Sequence, residues 1–140
     1  MFQKVLALAP AAGIRFVAIT RRDYNGSTPY TADEINALQN GTDSDKQAFL
    51  RERGLEVATF IQRFIQEHNI PAPSSDGKVG GIGVLGWSLG ASFAVAFVAN
   101  LQTYPTSTQE VLGKYLRALI LQGRLSPTNF HVSDLSMSAI

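Results

Sequence analysis

The sequence predicts an α/β fold, a three-layer α/β/α arrangement around a parallel sheet with about three strands present. Compact apolar, β-rich runs recur at residues 14–20, 79–85 and 116–122, and such runs suit strands buried on both faces. Between them lie segments with helical apolar spacing, long enough to carry a crossover. The resulting order is helix, strand, helix, strand, helix, helix, strand. That alternation implies parallel strands joined by right-handed crossovers, with helices on both faces. No internal repeat, low-complexity tract or linker interrupts it. Residues 1–122 therefore read as one partial domain, and residues 123–140, GRLSPTNFHVSDLSMSAI, as an irregular, disordered tail with no sustained period.

Residues 2–12 form a short apolar helix stopped by Gly13, the usual position for a glycine that turns left-handed. The first strand, IRFVAIT, follows at once. Residues 21–40 read as a loop with Asn25, Gly26 and Pro29 as turn residues. A long amphipathic helix then opens on a cap from Asp43 or Ser44. Its apolar residues Leu50, Val57, Phe60, Ile61, Phe64 and Ile65 recur at helical spacing, with Gly54 as a weak point inside. It stops near Asn69 or Ile70, ahead of Pro71 and Pro73.

A polar connection leads into the second strand. Residues 89–101 are apolar nearly all round, as expected of a helix buried against a sheet. Ser107 and Glu110 have the spacing of a capping box and open a short helix through about Tyr115. The third strand, 116–122, ends the pattern.

Composition narrows the function classes. Apolar residues make up 45% and charged ones 16%, a globular balance. A net charge of +1 and the absence of a basic run with interleaved aromatics argue against a nucleic-acid partner. Without cysteine, disulfides, thiolate metal sites and a cysteine nucleophile are excluded. Two histidines, His68 and His131, cannot build a zinc site from imidazoles. No metal or cofactor is expected. The start, MFQKVLALAPAAG, is faintly like a signal peptide, but its apolar stretch falls short of the roughly 7–15 residues needed, so an internal helix is the better reading. No stretch approaches ~20 apolar residues, so no membrane span is expected and a soluble, cytoplasmic protein is favoured. The sequons Asn25-Gly26-Ser27 and Asn40-Gly41-Thr42 would matter only in a secreted protein.

The chemistry concentrates in Gly86-Trp87-Ser88-Leu89-Gly90, a G-x-S-x-G motif between an expected strand and an expected helix. A sharp strand-to-helix turn there would lift the serine hydroxyl above the sheet, with flanking glycines letting chain segments pass close. Gly90, Ala91 and Ser92 would permit close helix packing. The backbone N–H of Leu89, at the helix N-terminus, would point where an oxyanion forms. As a bare pattern the motif is also compatible with an accidental flexible turn; its flanking elements favour the elbow. An overlapping G-x-G-x-x-G, residues 81–86, fits the dinucleotide fingerprint in letters only. A proline-rich stretch precedes it, and no acid follows before Glu110. Trp87 would either line an acyl pocket beside the nucleophile or cover the sheet.

The elbow and its surroundings resemble the α/β-hydrolase family, over about residues 2–122. Thr20-Arg21-Arg22-Asp23-Tyr24-Asn25-Gly26-Ser27 resembles the D-x-R-G-x-G-x-S loop of many members, with Thr20, Asp23 and Asn25 departing from it. Asp and Asn tolerate left-handed backbone, so the turn can survive. Arg21 and Arg22 read otherwise as a solvated loop pair. The resemblance implies a partial α/β-hydrolase fold and a serine hydrolase acting on an ester or related small-molecule acyl substrate, with Ser88 as nucleophile and Leu89 as backbone oxyanion donor.

Against that family the chain corresponds to a central part. The upstream strands, the His-Gly-type oxyanion loop and the triad acid and histidine are expected to be missing. His131 precedes Asp134, the reverse of the family's order, and Glu110 comes too soon. His68 reads as structural, at a helix C-terminus. Two other readings follow from this incompleteness. One is a catalytically inactive truncated fragment, self-associating through exposed sheet edges. The other is a non-enzymatic protein that binds a small ligand on the same fold.

Overall fold

The computed structural model describes residues 2–123. The expected tail beyond them, with His131 and Asp134, lies outside the described residues. The chain divides into two compact units with the boundary between Asn40 and Gly41, where the sequence shows no linker.

In the first unit, α1 (Gln3–Leu8) runs into a 3-10 turn at Pro10–Ala12. Gly13 then stops the helix as expected, at φ 68° with its N–H donating to the Pro10 carbonyl. Residues 14–20 depart from expectation, because they form no strand. Their composition suits a pleated surface, but a strand also needs a neighbour to pair with, and no other segment of this unit is a strand.

Residues 21–40 are not all loop either, since α2 spans Ala32–Asn40. It begins with a reciprocal cap: the Glu34 N–H donates to Thr31 Oγ1 at 3.2 Å, and the Thr31 N–H donates to Glu34 Oε2 at 2.8 Å. The same carboxylate takes both terminal nitrogens of Arg22, at 2.7 and 2.8 Å. Arg22 Nη2 also donates to the Pro29 carbonyl. Arg21 donates to the Tyr24 hydroxyl at 2.7 Å. Arg22 is therefore a structural tie across the turn, whereas the Arg21 bond lies exposed at the surface. Left-handed backbone falls at Asp23 (φ 66°) and Gly26 (φ 83°), and not at Asn25.

The second unit starts with α3 (Asp43–Glu67). Thr42, one residue before the expected caps, is its N-cap: it accepts from the Asp45 N–H while Asp45 accepts from the Thr42 N–H. The Thr42 hydroxyl also donates to Asp45 Oδ2 at 2.7 Å, and that bond, with the one from the Thr42 N–H, holds the Asp45 carboxyl below its ordinary 3.8. The helix stops at Glu67, with His68 as C-cap. β1 (Ile82–Trp87), α4 (Leu89–Ala99), α5 (Thr106–Tyr115) and β2 (Leu116–Gln122) follow.

The described strands are thus two rather than three. They pair in parallel, with Val84 opposite Leu119, Leu85 opposite Ile120 and Trp87 opposite Gln122. This is a mixed α/β unit with a two-stranded parallel sheet. The capping box expected from Ser107 and Glu110 does not form. Pro105 precedes the helix and its carbonyl accepts from the Thr108 N–H at 2.8 Å. Buried Thr108 instead donates its hydroxyl to Gln62 on α3.

The core lies between the helices and one face of the sheet. Ala58, Ile61 and Ile65 of α3 meet Phe97, Tyr104 and Leu112, with Ile82, Val84 and Leu116 packed against them. Two close approaches define it. A Cβ on Gly54 would stand 2.6 Å from the Tyr104 hydroxyl and 2.9 Å from the Ala96 carbonyl, so the expected weak point is where α3 and α4 touch. Tyr104 donates to the Phe97 carbonyl at 2.9 Å, and burial pushes its pKa up to about 12. Among the described residues the other face of the sheet stays open, where a three-layer fold would cover it: Leu85 is 42% exposed and Ile120 51%.

Candidate active site

The site grows from β1. Its burial alternates, with Ile82, Val84 and Gly86 toward the core and Gly83, Leu85 and Trp87 away from it. Immediately after Trp87 the chain turns at Ser88 and enters α4 at Leu89. Ser88 has φ 52° and ψ −128°. Among the described residues only Asp23 and Asn69 are other non-glycine residues with positive φ. Those types bond their own backbone and tolerate such angles. A serine there carries strain of order 1–3 kcal/mol, which persists only where surrounding structure imposes it.

Four contacts impose it. The Ser88 N–H donates to the Gln122 carbonyl at 2.8 Å, extending the parallel ladder by one rung beyond β1. The Ala91 N–H donates to the Ser88 carbonyl at 2.8 Å, starting the helix. Gly86 lets α4 lie directly on the strand, since a Cβ there would come 2.7 Å from Ala91 Cα and 2.9 Å from both Ala94 Cβ and the Gly90 carbonyl. Gly123, just past β2 at φ 142°, passes so near that its Cβ would stand 3.0 Å from Ser88 Cα and N.

The other flanking glycine does not act as expected. A Cβ on Gly90 would meet nothing within 4 Å. Helix packing close to the sheet comes from Gly86, Ala91 and Ala94, the last two buried.

The sequence singled out Ser88, Leu89 and Trp87, and the chain brings all three to the C-terminal end of β1. Ser88 is exposed, and Leu89 is 58% exposed. As the first residue of α4, Leu89 has an N–H with no carbonyl of its own helix to bond. Trp87 is on the sheet face away from α4, 40% exposed.

His68 is elsewhere. Its ring lies 4.4 Å from that of Phe64. Three residues on, the Pro71 carbonyl accepts from the Gly81 N–H at the entrance to β1. Six residues of strand, about 20 Å, separate that entrance from Ser88. Glu110 is exposed on α5.

The dinucleotide-like glycines have no phosphate-cradling turn, because Gly83 and Gly86 lie inside the strand. Among the described residues, no group of three or more His, Asp or Glu side chains could hold a metal ion, and no helix is long and apolar enough to cross a membrane. Sequence reasoning missed Gly123, because its role depends on a neighbour remote in the chain. The chain matches no protein-family model, no curated protein and no solved structure.

Proposed function

We propose that this chain carries the nucleophile of a serine hydrolase with the α/β-hydrolase fold, acting on an ester or related acyl bond. One observation supports this above the rest: Ser88 holds φ 52° and ψ −128° at the junction of a parallel strand and a buried helix. That is the strained strand-to-helix geometry which presents a serine hydroxyl above a sheet.

In the reaction, Ser88 Oγ attacks the acyl carbonyl carbon and its proton passes to a histidine that is not among residues 2–123. The carbonyl oxygen gathers negative charge beside the Leu89 N–H, where the helix dipole also favours it. Collapse expels the alcohol, which takes the proton from the imidazolium. Water then attacks the acyl-enzyme by the same route and frees Ser88. Trp87, next to the nucleophile, offers an apolar wall to the acyl group.

The test is fluorophosphonate labelling of the natural gene product, with the site mapped by mass spectrometry. Labelling at Ser88 that vanishes in Ser88→Ala is expected. A folded protein that stays unlabelled would overturn the reading.

A further inference from the structure

We infer that Gly123 is a positioning residue for Ser88, a role that rests on the hydrolase reading. Ser88 can hold its unusual backbone only if the chain leaving β2 comes up against it. Its N–H is tied to the Gln122 carbonyl at 2.8 Å, and the next residue crosses directly beside it. At that crossing a Cβ would lie 3.0 Å from both Ser88 Cα and Ser88 N. Such distances are too short for backbone atoms to absorb without moving.

Gly123 also has φ 142°, a conformation that side-chain-bearing residues rarely adopt. Steric room and backbone freedom therefore coincide at one residue, where a side chain would meet the nucleophile's main chain. Any side chain at 123 displaces the Ser88 backbone, and two groups move with it. The hydroxyl leaves its line of attack, and the Leu89 N–H turns away from the oxyanion position. Gly123 thereby fixes the angle between nucleophile and oxyanion donor without meeting the substrate.

The experiment compares wild type, Gly123→Ala and Leu112→Ala by the kinetics of fluorophosphonate labelling at Ser88, separating initial affinity from the rate of the covalent step. Leu112, buried in the core away from Ser88, controls for lost stability. Amide hydrogen exchange at Ser88 is followed in parallel, a readout that needs no chemistry at the hydroxyl.

Gly123→Ala is expected to slow the covalent step on the order of tenfold, less than the ~100-fold of a full ångström, because Ser88 has to give by a few tenths of an ångström. Affinity should stay unchanged, and the Ser88 amide should lose protection. Equal covalent rates in Gly123→Ala and wild type would overturn the inference, as would an equal slowing in Leu112→Ala. Should Gly123→Ala not fold, wild-type exchange decides. Ladder-like protection of the Ser88 amide supports the inference, and exchange at the rate of an open amide overturns it. Wild type that is protected at Ser88 yet never labelled removes the hydrolase reading itself, a failure distinct from that of Gly123.

Discussion

The two units use apolar residues in opposite ways. In residues 2–40, Val5, Leu6, Leu8, Ile14, Val17 and Ile19 are all exposed, and Ala9 is the one buried hydrophobic described there. What orders that unit is polar: Glu34 serves a helix cap and both terminal nitrogens of Arg22. In residues 41–123 a core forms, with Ala58, Phe97 and Leu112 essentially sealed from water, although residues such as Leu85 and Ile120 stay exposed. The difference does not lie in hydrophobicity. Element length differs too: α3 has 25 residues and α4 has 11, while α1 has six and α2 nine. Apolar content becomes a core only where long periodic elements give it something to close on.

Three substitutions would break or sharpen that contrast. The largest effect is expected at Phe97, fully buried in the second unit. Phe97→Ala should cost about 3–5 kcal/mol in urea unfolding, and a loss under one would mean that the second unit's core is not what holds it.

Gly54→Ala comes next. Helix propensity alone would favour alanine by roughly 1 kcal/mol. The Tyr104 hydroxyl and Ala96 backbone occupy the space, so the net result should be a loss of about 1–3 kcal/mol. A gain in stability would show that α3 and α4 can part without penalty.

The smallest effect belongs to the first unit. Leu8 is 70% exposed, and Leu8→Ala should shift the thermal midpoint by the equivalent of at most about 0.5 kcal/mol. A loss comparable to that of Phe97→Ala would erase the distinction between the units.

Much of the second unit was legible because its signals are local. The α3 stripe, the apolar α4 and the run 116–122 each declare their type within one window, and β2 matches its expected bounds. The strand-to-helix turn at Ser88 was legible for the same reason, since motif, strand and helix adjoin in sequence. The misses have the opposite character. Residues 14–20 have strand composition, but pairing depends on a partner that composition does not report. The Ser107–Glu110 spacing suggested a box, yet the helix begins at Thr106 after Pro105, so Ser107 lies inside its first turn and not at the cap.

For α2 the signal was present: Thr31 and Glu34 have the capping spacing, masked by the turn residues before them. The site was half visible. Ser88 and Gly86 follow from the motif, whereas the contribution of Gly123 and the idleness of Gly90 needed three-dimensional neighbours.

The parallel pairing of β1 and β2 also sets an order of events in folding. Each rung of that ladder joins residues separated by the whole of α4 and α5. Closing so long a loop costs entropy before any rung repays it, whereas the turns of α3 and α4 can form from near neighbours. The sheet is therefore expected to pair late, after the helices. The bond between Ser88 and Gln122 lies one step beyond the last rung. A chain whose helices have formed before the sheet pairs lacks that bond. The backbone of Ser88 is thus tied to a residue 34 positions downstream, so its angle belongs to the paired sheet and not to the local strand-to-helix sequence alone.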